Sequence, residues 1–576
     1  MSISANDEKP SLHQSEKEPG TPSDPEHQQP EEELFKWDLA ICTNLLALFM
    51  CYFSSTWGLL VPTSSIAFIV EQFPDGAGKS AWIAAAVSIP NCVLQAFMGE
   101  LSDILGRKHF LLAGMLLGIT GAIVSSRANN VEMIIGGQVL NGCGLTLGYL
   151  AIPLVSEVVP KDKRPQMQGL AGVIAGIATM IGPVIQGAFI KNGVGGDTNG
   201  WRGGFYLCAG FYALTFISLV LFYHPAPRPG QNELSTMSRV AKIDWLGVFL
   251  VASGLVLFLV GLHYGGNPYE WTDPLVLCTL IIGGVLLMIF GIYNWRFRKD
   301  GLLHHAFFEH RNFAISMALN FVGGIVLFGG QAYLPQEIVT LFTNDAILTG
   351  VYNIPFNGFS IISAFIAGII MGLTKEAKPI VITAFSFLLA GSGIMAVMEP
   401  HINFAAWFFP TALLGFGVGA QLSILNVVVS VCTANEYIAH AMSVVAAVRA
   451  LGGSIGIVIF HAIFHTKTKE ILPKQLAKAV LVAGLPQENL TQFLTAAAAG
   501  VGAQLLELPG VTEEVIEAYR LAYPKALADC YRFIWYSLIP FAAVSLGISF
   551  FLKTTKAQMT RQVAAGVQRR GIRKPT

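Results

Sequence analysis

Charge is scarce in this chain of 576 residues: Asp, Glu, Lys and Arg make up 12%, and 36 basic residues balance 36 acidic ones. Without a net field there is no electrostatic case for nucleic acid or for a strongly acidic partner. Cysteine is sparse too. Cys42, Cys51, Cys92, Cys143, Cys208, Cys278, Cys432 and Cys530 fall almost entirely inside apolar runs, without CxxC or metal-ligand spacing. That pattern argues against a disulfide framework or a metal centre and leaves small buried side chains. Residues 1–37 lack any apolar segment and are rich in Pro, Glu, Ser and Gln, so they read as a disordered cytoplasmic tail and not as a signal peptide.

What the chain has in quantity is hydrophobicity, at 53% of residues. A membrane-spanning helix needs about 20 mostly apolar residues, and fourteen stretches qualify: 38–62, 80–98, 109–127, 132–153, 166–190, 203–223, 244–264, 274–294, 313–335, 347–371, 379–398, 404–428, 436–464 and 532–552. An all-α polytopic membrane protein is expected. An even number of spans puts both termini on one side. Short loops on one face carry fourteen Lys or Arg residues, among them Arg107, Lys161, Arg228, Arg296 and Lys375, against four on the other. The positive-inside rule then makes both termini cytoplasmic, in agreement with the basic tail 553–576. The loop 465–531 falls outside. It contains Asn489-Leu490-Thr491, a glycosylation sequon, and the helically spaced segment 511–523, expected to cover the outer mouth.

The densest early charge cluster, GELSDILGRKHF from Gly99 to Phe110, lies in the turn after span 2. Asp103 and Arg107 are four apart and share a helical face, while Gly99 and Gly106 allow close backbone approach. Gly99, Leu101, Asp103, Gly106, Arg107 and Lys108 resemble the GxLaDrxGrk signature of the major facilitator superfamily. In span 5, Gly172, Gly176, Gly182, Pro183 and Gly187 resemble the gxxxGPxxGG motif of proton-coupled drug antiporters, with Gln186 in place of one glycine. Segments 201–206, 243–247 and 449–456 extend the likeness to the fourteen-span drug:proton antiporter family, and within it to fungal toxin-efflux and siderophore carriers.

That resemblance implies the major facilitator fold: two six-helix bundles, 38–223 and 301–552, with two inserted transmembrane helices in a linker over 224–300. It implies that Asp103, Arg107 and Lys108 form a cytoplasmic latch between the halves, and that Pro183 bends span 5 where they rock. Gly368 to Lys378 occupies the corresponding place in the second bundle. Two family features are missing. Gln138 stands where span 4 usually has arginine, and span 1 has Ser54, Ser55 and Thr56 but no acid. Proton coupling is therefore implied by the family and not by titratable groups in the first six spans.

Arg449 interrupts a long apolar run, where a charge costs about 2.5–3.5 kcal/mol and must face protein or water. It reads either as an arginine satisfied by helix carbonyls or as a cavity or coupling residue. Candidates for substrate contact are Trp57, Asn91, Gln95, Gln138 and Asn141 in the first bundle. Those in the second are Gln331, Tyr333, Asn353, Asn357, Gln421 and Asn426. Each is alternatively interhelical glue. The set points to an uncharged or weakly charged organic molecule. The expectation is a secondary transporter of the plasma membrane exporting a toxin, drug or metabolite by alternating access, with protons as coupling ion. A proton-coupled importer such as a siderophore carrier is the alternative. No cofactor, nucleic acid or enzymatic activity is expected, and the protein is expected to act as a monomer among lipids.

Overall fold

The computed structural model describes residues 37–73, 79–194, 196, 199–225, 241, 243–266, 269–298, 301–343, 346–400, 404–498 and 508–560. The tail expected over 1–37 lies outside them except for Trp37, as does the basic tail from 561 onward. Among the described residues fourteen helices are long and apolar enough to cross a membrane. In order they are Leu39–Val61, Trp82–Leu105, Arg107–Ser126, Val131–Val158, Arg164–Lys191, Gly200–Phe222, Trp245–Tyr264, Pro274–Arg296, Arg311–Leu341, Leu348–Thr374, Lys378–Met395, Ala406–Cys432, Asn435–Val482 and Glu513–Ser549, spans 1 to 14. In lipid a backbone must satisfy its own hydrogen bonds, and helices do so within the segment.

Three apolar cores organise these spans. One joins spans 1 to 6 around Leu48, Trp201, Phe205 and Tyr212 and reaches Val429, Ile438 and Met442 of spans 12 and 13. A second joins spans 9 to 14 around Phe385, Trp407, Ile424 and Phe460. Span 7 packs on span 2 through a third, built from Leu250, Leu255, Leu259, Ile89 and Phe97, and span 8 packs on span 7. Two acids cap helices. Asp244 caps span 7 by accepting from Gly247 N at 3.1 Å and also accepts the Tyr293 hydroxyl of span 8 at 3.0 Å. Asp273 caps span 8, accepting from Leu275 N at 2.8 Å.

Several helix ends lie beyond their expected places. Spans 2 and 4 run on to Leu105 and Val158, which brings Glu100, Asp103 and Glu157 inside helices of the first bundle. Span 4 breaks at Leu150, between Val131–Tyr149 and Ala151–Val158, because Pro153 has no N–H for the Tyr149 carbonyl. Span 9 continues through Pro335 to Leu341. The expected outer loop 465–531 is largely helical: one helix runs unbroken over Ile438–Val482 and another over Glu513–Ser549. At 1.5 Å per residue the first is about 68 Å long, twice the hydrocarbon thickness. Pro473 and Pro524 do not stop these helices. Gln475 donates to Asp529 at 2.7 Å, and Val480, Leu485, Phe493, Val515 and Ile516 form a separate small core at the far end. Segment 511–523 belongs to that cap.

Candidate functional site

The turn between spans 2 and 3 is a single residue, Gly106, at φ +103°, a conformation that only glycine adopts without strain. It sets Arg107 at the start of span 3. Arg107 hydrogen-bonds Asp103 (Nε at 3.2 Å and Nη2 at 3.1 Å) and forms an ion pair with Glu157 at the end of span 4. Glu157 is 1% exposed. Lys108 donates to the Val220 carbonyl at 3.0 Å. These contacts tie spans 2, 3, 4 and 6 of the first bundle together.

At this face the two bundles also approach backbone to backbone. A Cβ at Gly99 would lie 2.6 Å from both the Ala439 carbonyl oxygen and His440 Cα of span 13. Arg164, fully buried at the start of span 5, donates to the Ser430 carbonyl of span 12 at 2.5 Å. Lys161, in the preceding loop, is held below the ordinary lysine value by burial, with repulsion from Arg164 adding to it. In the second bundle the corresponding turn is made by Lys375 at φ +58°. Its carbonyl accepts the Thr555 hydroxyl at 2.8 Å, and Glu376 accepts that of Thr554 at 2.8 Å, so the segment after span 14 secures the strained turn.

The span 5 motif lies on the second bundle. A Cβ at Gly169 would meet the Ala364 carbonyl at 2.9 Å, one at Gly172 the Ala364 Cβ at 2.6 Å, and one at Gly176 would collide with Ile361. Spans 5 and 10 therefore cross at a distance only small residues permit. Gly182 is looser, with Trp57 at 3.9 Å. Pro183 and Gly187 continue the helix to Lys191. Gln186, in place of a family glycine, donates to Ser65 Oγ at 2.7 Å and to the Trp201 carbonyl at 2.9 Å, in space left by Gly204.

Between the bundles lies a cavity of about 140 Å³. Asn91, Gln95, Gln331, Asn357, Asn426 and Arg449 line it, together with Tyr52, Thr56, Tyr149, Gln168, Phe328, Ser423 and Ser443. No described lining residue is acidic or a histidine, and Arg449 supplies the charge. Gln95 donates to Asn91 at 2.7 Å, and Thr146 donates to the same oxygen at 3.2 Å.

Trp57, Gln138, Asn141, Tyr333, Asn353 and Gln421 lie outside that lining. Asn141 donates to the Gly58 carbonyl at 2.9 Å and to Gln138 at 3.1 Å, Gln138 donates to Ser125 at 2.7 Å, and the Tyr212 hydroxyl donates to Asn141 at 3.0 Å. This network ties spans 1, 3, 4 and 6. Trp57 packs against Phe53 and Phe211, Tyr333 against Phe460 and Phe464. Gln421 fills the space beside Gly323, and the Asn353 carbonyl accepts from Asn357 at 3.4 Å. Depth in the membrane does not fix which way a side chain points. Glu337, just past the expected end of span 9, is 1% exposed and accepts the Trp535 indole N–H at 3.0 Å. Arg449 could be singled out from the sequence because charge in an apolar run is rare, whereas Tyr52 and Tyr149 carried no such signal. Asn489 sits in a short turn beside the far-end cap, donating to the Pro509 carbonyl at 2.6 Å.

Comparison with known proteins agrees with this architecture. The efflux pump dotC of Dothistroma septosporum is 24% identical over 527 residues, 91% of this chain and 86% of that protein. The MFS-type efflux transporter ffsH of Aspergillus flavipes is 26% identical over 490 residues, 83% of this chain and 81% of that protein. Among solved structures, the proton:xylose symporter XylE aligns with a TM-score of 0.57 at 12% identity, covering 91% of this chain and 98% of that one. The human organic anion transporter MFSD10 aligns at 0.53 and 11% identity, covering 87% and 99%. These two show the fold alone. The sequence model of the Major Facilitator Superfamily matches residues 45–457. Two helical bundles about a cavity, with the superfamily's own turn locking one of them, have their explanation in that match: the chain belongs to the Major Facilitator Superfamily and is an integral membrane transporter.

Proposed function

We propose that the protein exports a small organic compound across the plasma membrane by alternating access, with both termini cytoplasmic. The bundles 38–223 and 301–552 rock about the cavity between them. That cavity carries the reading: it is walled by both bundles and closed at the Gly99 face by contacts that involve no substrate. The relatives named as efflux pumps support the direction. The coupling ion in this reading is a proton. No described lining residue of the cavity is a carboxylate or histidine, so the proton binds away from the substrate. Glu337, buried in span 9 under Trp535, is the group assigned to it.

The test is accumulation of candidate toxins and metabolites in cells expressing the protein, matched against cells lacking it. Lower accumulation in the expressing cells, abolished by a protonophore and by Glu337→Gln, is expected. Higher accumulation reverses the direction, and protonophore-insensitive export removes the proton.

A further inference from the structure

Three other buried or half-buried arginines, Arg107, Arg164 and Arg532, each have at least one carboxylate or carbonyl partner. Arg107 pairs with two carboxylates, and Arg164 reaches the Ser430 carbonyl through Nη1 while its Nε and Nη2 have no partner. Arg532 pairs with Asp529 at 2.9 Å and Glu399 at 3.3 Å. Arg449 differs. Its Nη1 is shut off from solvent and has no hydrogen-bond acceptor among the described residues. The rest of the guanidinium faces the cavity, where no described lining residue is acidic. Its aromatic neighbours, Tyr52 and Tyr149, stand edge to face at 5.7 Å and come from the opposite bundle. Neither accepts a hydrogen bond from the guanidinium.

A guanidinium stays protonated under any condition a protein tolerates, so this site holds a permanent positive charge. Besides the amide oxygen of Gln95, two buried hydroxyls in the same lining, those of Ser423 and Ser443, have no hydrogen-bond partner. Both are donors that an anion can use. The remaining surface is largely apolar or aromatic. Such a cavity is complementary to a molecule with an apolar body and one anionic oxygen pair or enolate, which a guanidinium recognises bidentately.

We propose that the transported compound is an organic acid, and that its carboxylate or acidic enolate docks on Arg449 as the missing counter-charge. It narrows the uncharged or weakly charged molecule expected from the polar residues to one with an acidic group. It rests on the export reading for its physiological meaning, but the binding site itself does not depend on direction. Because Arg449 belongs to span 13 and its aromatic neighbours to spans 1 and 4, an anion bound there touches both bundles at once. Cargo binding and the approach of the bundles are then the same event.

The experiment uses the full chain, purified in lipid nanodiscs, and three acid and methyl-ester pairs: pyrenebutyrate, 1-naphthoate and decanoate. Binding is measured above the pKa of the acids. At least one acid should bind wild type tenfold or more tightly than its ester. Arg449→Gln and Arg449→Ala should bring the acid-to-ester affinity ratio to about one, and Arg449→Lys should keep part of the preference. Without ligand, Arg449→Gln should melt at or above the wild-type temperature, since it removes an unpaired buried charge; an arginine with a structural role would lower it. Equal acid and ester affinities on wild type, an acid preference surviving in Arg449→Ala, or failure of all three acids to bind overturns the proposal. Acid-selective binding without export from cells refutes the export reading and leaves the charge site standing. Equal export of an acid and its ester does the reverse.

Discussion

Replacing Gly99 with alanine should open the face on which the two bundles touch. The added Cβ would lie 2.6 Å from the Ala439 carbonyl oxygen and from His440 Cα. Both are backbone atoms, so no rotamer change relieves the clash. Ordinary contact begins near 3.4 Å, and the helices must part by about 1 Å. Overpacking of this kind costs about 1–3 kcal/mol. Because the contact is between bundles, the cost falls only on the conformation in which spans 2 and 13 meet and vanishes when they separate. The population ratio should therefore shift by about 5- to 150-fold. An open form present at about 1% would rise to roughly 5–60% on that arithmetic. Nitroxide labels at the exposed positions Leu105 and Glu436, in a background cleared of the eight native cysteines, report this distance by double electron–electron resonance. The longer-distance population should grow in Gly99→Ala. It should not grow in Gly136→Ala, where an added Cβ meets nothing within 4 Å. A correctly folded Gly99→Ala protein with the wild-type distance distribution refutes the reasoning.

Two other outcomes can be checked. Glu157→Gln leaves Arg107 with Asp103 as its remaining carboxylate and should lower stability by about 1.5–3 kcal/mol, whereas Lys79→Ala breaks an exposed pair with Glu132 and should change it by about 0–1 kcal/mol; equal melting temperatures for the two variants would contradict the assigned roles. Asn489→Gln should abolish an endoglycosidase-sensitive band shift when the protein is made in a glycosylating host. A thiol label at Thr512 that reacts only from the cytoplasm would overturn the proposed topology.

The spans were legible in the sequence because lipid leaves the backbone no alternative to long apolar helices, and fourteen runs became fourteen helices. Their ends were not. Charged segments such as 465–482 stop being lipid-compatible but remain good helix, so the helices outlast the hydrophobic runs that announced them. The same effect hid Glu337, since Pro335 and the glutamine beside it read as an ending. The motif turn was legible as a spacing, but its partner Glu157 was not, because it arrives from another helix. Arg164 was legible only as one more positive charge on a loop, while the structure gives it a carbonyl in the other bundle. Polar candidates divided between cavity and glue for one reason: rotation of a helix about its axis is weakly encoded when every face is apolar. Asn141 and Asn91 look alike in sequence, yet one ties span 1 to span 6 and the other faces the cavity.

The unbroken helix Ile438–Val482 places Arg449 and the far-end cap on one shaft. From Arg449 to the tip is about 50 Å at 1.5 Å per residue. A tilt of about 5° at the level of the cavity would swing the tip by about 4 Å, so the exposed cap works as a pointer for a motion that starts at a buried charge. Mechanics runs in both directions: a binder gripping the cap acts through a long moment arm, and modest force applied there produces a large torque where the cargo sits.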